Sequence, residues 1–263
     1  MQTVDKAMKL LGLFSPARPE IGLSELARLA GLDKEAARRF LVALGSHGFI
    51  EQNAVTRAYR LGSAFIYYAR IREQTCPLAS VVQPVLEALA EETGETAHAT
   101  LATGMDLVTI GIAEPQRTTR VSLEPSQQLP LHATASGFAF LAFAPAPVRE
   151  EFLKQRKLEK YTKHTPVTAK AMREQIAFAR RTGYAMAMGA FEDEVIGLAA
   201  PLFDSAGLAM GTIAVASLAS RFTDTTKLMI ATKVVAAAID VSRAMGGEPH
   251  AALLRAAKET ADA

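Results

Sequence analysis

The sequence predicts an α/β chain of the α+β kind, built in two pieces. A helical front closes in a β-hairpin, and a larger region of strands alternating with helices follows. Three observations predict it. Apolar residues between Val4 and Leu44 recur at helical spacing in three short runs broken by Pro, Gly and Asp. Beyond Thr96, runs with strand patterning are bounded by turn residues and interleaved with helical ones. Finally, 263 residues at 49% hydrophobic, 21% charged and a mean hydropathy of +0.13 suffice for two cores, and exclude a disordered, collagen-like or disulfide-dense chain.

The first run, Val4 to Phe14, takes Thr3 as its N-cap and ends at Ser15-Pro16-Ala17-Arg18-Pro19. Ser24 is the candidate cap of a short second helix carrying Leu26, Ala27, Leu29 and Ala30, with Gly31 just past its end. Asp33 then caps a third, with Ala36, Ala37, Phe40, Leu41 and Leu44 on one face and an end near Gly45 or Gly48. Two short helices around a Gly-containing turn make a helix-turn-helix. Phe49 to Gln52 and Tyr59 to Leu61, flanking a polar connection, add a two-stranded wing.

That winged helix-turn-helix, residues 1–62, holds most of the basic excess. Residues 1–75 carry 11 Lys/Arg against 7 Asp/Glu, whereas residues 76–263 carry 18 against 20. Duplex DNA is the partner this predicts. On the third helix Lys34, Glu35, Arg38 and Arg39 are the polar candidates. Arg pairs bidentately with guanine, Glu accepts from cytosine, and Lys34 at the helix start suits phosphate. Arg57 and Arg60 on the wing suit phosphate too. The plain alternative is a solvated face with Glu35 paired to Arg38 or Arg39.

Residues 63–77 form a linker, with an amphipathic helix from Ser63 to Arg72 broken at Cys76-Pro77. The lone Cys76 reads as a structural or idle thiol, and the absence of any second cysteine points to a reducing, cytoplasmic setting. Residues 78–247 form the second domain. Leu78 to Thr93 is a helix containing Pro84, and Thr96–Ala102 with Leu107–Ala113 a hairpin. Arg120–Leu123 is a further candidate strand. Helices follow at Ala135–Ala144, Val148–Lys157 and Ala169–Thr182, then strands at Tyr184–Met188, Val195–Phe203 and Leu208–Ala216, and a long helix from Asp224 to Met245 capped by Thr223. The outcome is a mixed α/β sheet. The tail, 248–263, has helical composition and no clear anchor, so its order is left open. No apolar run approaches a membrane span, and Met1–Phe14 lacks the pattern of a signal peptide.

The sequence then becomes familiar. Thr3-Val4-Asp5-Lys6-Ala7, Leu23-Ser24-Glu25-Leu26-Ala27, Gly31-Leu32-Asp33-Lys34 and Tyr59-Arg60-Leu61-Gly62 resemble the N-terminal domain of IclR-family bacterial transcriptional regulators. Leu86 to Thr96, Leu129-Pro130-Leu131-His132-Ala133-Thr134-Ala135-Ser136-Gly137, Gly183-Tyr184, Ala199 to Asp204 and Ser220-Arg221-Phe222-Thr223 continue the resemblance in the family's order over residues 3–246. It implies a DNA-binding dimer or dimer of dimers on a palindromic operator, with a GAF-like effector domain that senses a small metabolite. It places Arg39 on the family's recognition-helix arginine, while Lys34-Glu35-Ala36 replaces a Lys-Ser-Thr pattern and loses two hydroxyls.

The resemblance also locates an effector site. The start of a helix at Ala135-Ser136-Gly137 offers free N–H groups to an anion. Positions lined in relatives by an acid, a cysteine and serines fall on Ala187, Gly197, Ala214 and Ala216, and Phe138 stands where a lysine is usual. A site stripped of those groups predicts a larger, partly apolar or aromatic effector whose anionic end meets the helix start. If nearby side chains such as Met105, Met186 or Met188 filled that space, the domain would sense nothing.

Enzyme signals are weak. Thr134 and Phe138 stand where a G-x-S-x-G elbow needs glycines, leaving only His132, four residues before Ser136, as a Ser–His rival. A ligand-binding scaffold without DNA activity is the other rival. The five histidines show no metal-ligand spacing, so no metal or other cofactor is expected.

Overall fold

A computed structural model of the chain describes residues 2–75, 78–124, 128–155 and 157–261. The chain forms two compact units, Met1–Cys76 and Pro77–Ala263. Cys76 and the Cys76-Pro77 break lie outside the described residues.

In the first unit, α1 (Gln2–Leu11), α2 (Leu23–Ala30) and α3 (Lys34–Ser46) precede the wing strands β1 (Ile50–Gln52) and β2 (Tyr59–Leu61), and α4 (Ala64–Thr75) follows. Leu10, Ile21, Leu26, Ala30, Leu41, Ile50 and Tyr59 form its core. Gly31 closes α2 at φ 67°, and the Asp33 carboxylate accepts from Ala36 N at 2.7 Å to open α3. Two expected caps fail. Thr3 lies inside α1, and α2 starts one residue before Ser24, its first turn closed by Leu26 N donating to Gly22 O. Helix α4 runs past Arg72. Its start is tied to the wing by Ala64 N donating to Gly48 O at 3.0 Å, and Phe49 packs against the rings of Phe65 and Tyr68.

The second unit opens with α5 (Leu78–Thr93), which Pro84 does not end. Its strands are β3 (Thr96–Thr103), β4 (Asp106–Ala113), β5 (Gln128–Leu129), β6 (Ala185–Met188), β7 (Val195–Phe203) and β8 (Ala209–Leu218). They order as β5-β4-β3-β8-β7-β6, and every pairing is antiparallel. The reason is connectivity. Two sets of sequential antiparallel strands meet edge to edge through β3 and β8, a join that needs no parallel crossover.

Helix α6 (Ala135–Phe143) packs on β6, β7 and β8. Helices α5 and α9 (Asp224–Ala244) touch each other on the opposite face, where Leu86 of α5 meets Gly111. Along the chain between α6 and α9 come α7 (Ala146–Leu153) and α8 (Ala169–Thr182), the latter capped by Thr168 and closed by Gly183. Helix α7 starts directly after Pro145 and stops before the expected Lys157. The chain beyond it becomes a strap, on which Thr162 and Thr165 donate to the carbonyls of Gly189 and Ala190.

Arg120–Leu123 is not a strand. The outer edge of β4 pairs instead with Gln128–Leu129, and the Thr96 hydroxyl holds Val121 by its carbonyl at 2.5 Å. The tail also has an anchor that its composition does not reveal. Helix α10 (Ala251–Ala261) buries Ala252, Leu253 and Ala256 against α8 and α9, and the His250 ring packs on Phe143 and Phe203. Ending the chain at Gly247 should therefore destabilise this unit by about 3–5 kcal/mol, one leucine and two alanines of lost burial plus the exposed seat. A urea midpoint unchanged by that deletion would show the helix to be a passenger.

Candidate functional site

On α3 the apolar face turns Ala37 and Leu41 into the core, which leaves Lys34, Glu35, Arg38 and Arg39 exposed. Glu35 makes no ion pair with Arg38 or Arg39, so the solvated-pair alternative finds no support in the geometry. The wing treats its two arginines differently. Arg57 sits exposed at the turn with φ 59°, whereas Arg60 is placed opposite Glu51 by the hairpin register. Arg60 donates to Glu51 from Nε and Nη2 at 3.2 and 3.1 Å and lies 3.9 Å from Glu20. Its charge is half spent inside the wing; that of Arg57 is free.

In the second unit, the start of α6 faces the sheet across a small cavity of about 60 Å3. Ala135, Ser136, Ala187, Gly197, Ala214 and Ala216 line it. Register explains the grouping. Ala187 pairs Gly197, Gly197 pairs Ala216, and Ala214 pairs His98, so these side chains share one face of the sheet. Gly137, expected among them, faces the Leu131 backbone instead. The space vacated at Gly197 is partly taken, because a Cβ there would stand 3.2 Å from that of Ala135. The remaining walls are Val121, Leu123, Leu129, Ala133, Ala190, Phe191 and Val195, with none of the three methionines among them.

Four polar residues line the cavity: His98, Thr134, Ser136 and Glu192. Thr134 is committed as the α6 cap, accepting from Gly137 N and donating to Pro130 O, both at 3.0 Å. The amides of Ala135 and Ser136, in the first turn of the helix, have no intrahelical acceptor. His98 is the residue that sequence reasoning missed. It is buried, its Nε2 lies 3.4 Å from Ser136 Oγ, and its Nδ1 has no hydrogen-bond partner. Burial pushes its imidazole down to about 4, so the ring is neutral at neutral pH.

The Ser–His rival is not assembled. His132 Nε2 lies 2.7 Å from the Glu159 carbonyl, and Ser136 meets His98, whose other nitrogen finds no carboxylate. Among the described residues, no group of His, Cys, Asp or Glu could hold a metal ion, and no helix is long and apolar enough to cross a membrane.

A winged helix-turn-helix unit followed by an α/β unit with its own small, apolar-walled cavity is the build of a DNA-binding regulator with a sensory domain. Residues 3–54 match the IclR helix-turn-helix domain, and residues 73–243 match the family described as bacterial transcriptional regulator IclR C-terminal. The chain belongs to the IclR family: it is a DNA-binding transcriptional regulator with a C-terminal effector domain. The transcriptional repressor IclR of Escherichia coli is 30% identical over 261 residues, 94% of this chain and 91% of that one. A crystal structure of an IclR transcriptional regulator from Silicibacter sp. TM1040 is 37% identical. It has a TM-score of 0.90 over 95% of this chain and 98% of its own. An IclR homologue of Microbacterium hydrocarbonoxydans, crystallised with 4-hydroxybenzoate, shares the fold at 22% identity and TM-score 0.73, over 92% of this chain and 98% of its own.

Proposed function

We propose that the chain binds a palindromic operator as a dimer or dimer of dimers, and releases or grips it when a partly apolar monocarboxylate enters the cavity beside α6. The carrying observation is the cavity's chemistry. Its walls are apolar, its polar groups gather at a helix start, and no Lys or Arg lines it. An anion here is held by hydrogen bonds and the helix end alone, with Glu192 on the rim, so a second negative charge finds nothing to meet it. The same features argue against small polyoxygenated acids. The protein acts in the cytoplasm by binding, without catalysis. Calorimetry against glyoxylate, pyruvate, benzoate, 4-hydroxybenzoate and a dicarboxylate tests this reading. Glyoxylate bound tightly, with no response to any larger acid, would sink it.

For DNA, the exposed and unpaired Arg39 and Arg38 support base or phosphate contact rather than a packing role. Arg38→Ala is expected to relax sequence preference at one operator position by ~1–3 kcal/mol, and Arg39→Ala to weaken operator binding. Arg57→Ala should weaken all sequences alike and flatten the salt dependence. Arg60→Ala should do so less, because Glu51 already holds that guanidinium. Gel-shift titrations across a salt series read all four. Operator affinity of the intact protein that ignored salt would contradict the electrostatic model.

A further inference from the structure

The face of β3 that looks into the cavity carries Thr96, His98 and Thr100 in alternation. Both threonines are already bonded. Thr96 donates to Val121 O, and Thr100 shares a 2.8 Å hydrogen bond with Thr212 on β8. His98 differs. The sheet gives it Ala214 and Ile112 as partners in register, neither of which has a polar side chain. Its Nδ1 is left as a buried nitrogen without a partner, the one such side-chain atom among the described residues. A buried polar atom left unpaired costs the protein its full desolvation. It persists where something else supplies the partner.

Proton accounting says what that something offers. The Ser136 hydroxyl finds no acceptor other than His98 Nε2 among the described residues. If Nε2 carried the proton, both the Ser136 hydrogen and the Nδ1 lone pair would be stranded. With Ser136 donating to Nε2, only one group remains open, and it is an N–H at Nδ1. The couple therefore leaves a neutral N–H donor on a residue that lines the same cavity as Ala135 and Ser136, whose first-turn amides are also open. All three want an oxygen acceptor.

We propose that His98 is the specificity-determining residue of the cavity, donating from Nδ1 to a carboxylate or carbonyl oxygen on a ligand with an apolar body. The proposal rests on the cavity being the effector site. Ser136 is then a positioning residue, which fixes the tautomer and does not itself select the ligand.

Two substitutions separate the ring nitrogens, because an asparagine amide reaches about as far as Nδ1 and a glutamine amide as far as Nε2. Calorimetry with benzoate on the full chain should find His98→Asn within about threefold of wild type, and His98→Gln weakened tenfold or more. Nitrogen-15 shifts of the imidazole, measured on the unsubstituted protein, should show the proton on Nδ1 and a shift of that nitrogen when benzoate is added. Thermal melts of both variants show whether either fold has suffered, and the imidazole spectrum needs no variant. A proton on Nε2, or benzoate affinity that His98→Gln leaves intact, overturns the role of His98 while the cavity stands as the effector site. Wild-type protein that binds neither benzoate nor any other acid of the panel overturns the effector-site reading, and this proposal with it.

Discussion

Replacing Gly137 by alanine is expected to destabilise the second unit by about 3 kcal/mol and to abolish its ligand response. The added methyl would lie closer than 3.0 Å to the carbonyl oxygen, carbonyl carbon and Cα of Leu131. Those are backbone atoms of a buried residue, in a segment that the Thr134 cap ties to the same helix turn. Neither side can yield by rotating a side chain. Helix α6 would have to lift away from the sheet, and its first turn forms one wall of the cavity. Gly197→Ala is the comparison that isolates this argument. Its new methyl meets Ala135 alone, 3.2 Å from the methyl and 4.0 Å from the amide nitrogen, so a shift of a few tenths of an ångström relieves it and the cost should stay below ~1 kcal/mol. Urea titrations of both variants decide. Equal losses would mean that the backbone contact at Leu131 is not what fixes α6.

The glycine also marks where sequence reading reached its limit. Features fixed by neighbours in the chain were legible: the Asp33 and Thr223 caps, the glycine at 31 that closes α2, and the hairpin of β3 and β4. Features fixed by distant partners were not. Gly137 carries no sign of whether it faces a ligand or Leu131. His98 looks like any strand residue until β8 brings Ala214 beside it from 116 positions away. The tail looked unanchored because its seat, the close approach at Gly183 and the rings of Phe143 and Phe203, is spread over 60 residues of earlier chain. Ser24 failed for a local reason of small size, a helix that begins one residue early. Arg60 was the exception that could have been foreseen. Once the wing is a hairpin with a six-residue connection, Glu51 and Arg60 fall opposite each other, and their pairing follows from charge.

The largest condition-dependent effect should come from acid. Histidine in an unfolded chain titrates near 6.5, whereas burial holds His98 down at about 4 in the folded unit. As pH falls below 6.5 the unfolded chain takes up a proton that the folded one refuses, so stability drops with falling pH. The contribution is fully present above pH 6.5, declines between 6.5 and 4, and levels out below 4. A difference from 6.5 to about 4 corresponds to roughly 3 kcal/mol across that window. Of the residues lining the cavity only Glu192 carries a carboxylate, and a nearby negative charge favours a charged imidazole rather than opposing it. Other carboxylates add their own acid sensitivity, so the measurement is a difference. Urea midpoints of wild type and His98→Asn, taken from pH 7.5 to pH 4, should diverge as acid is added, with wild type losing more. Parallel curves would show that His98 is solvated well enough to protonate in place, and would remove the desolvated ring from the account of the cavity.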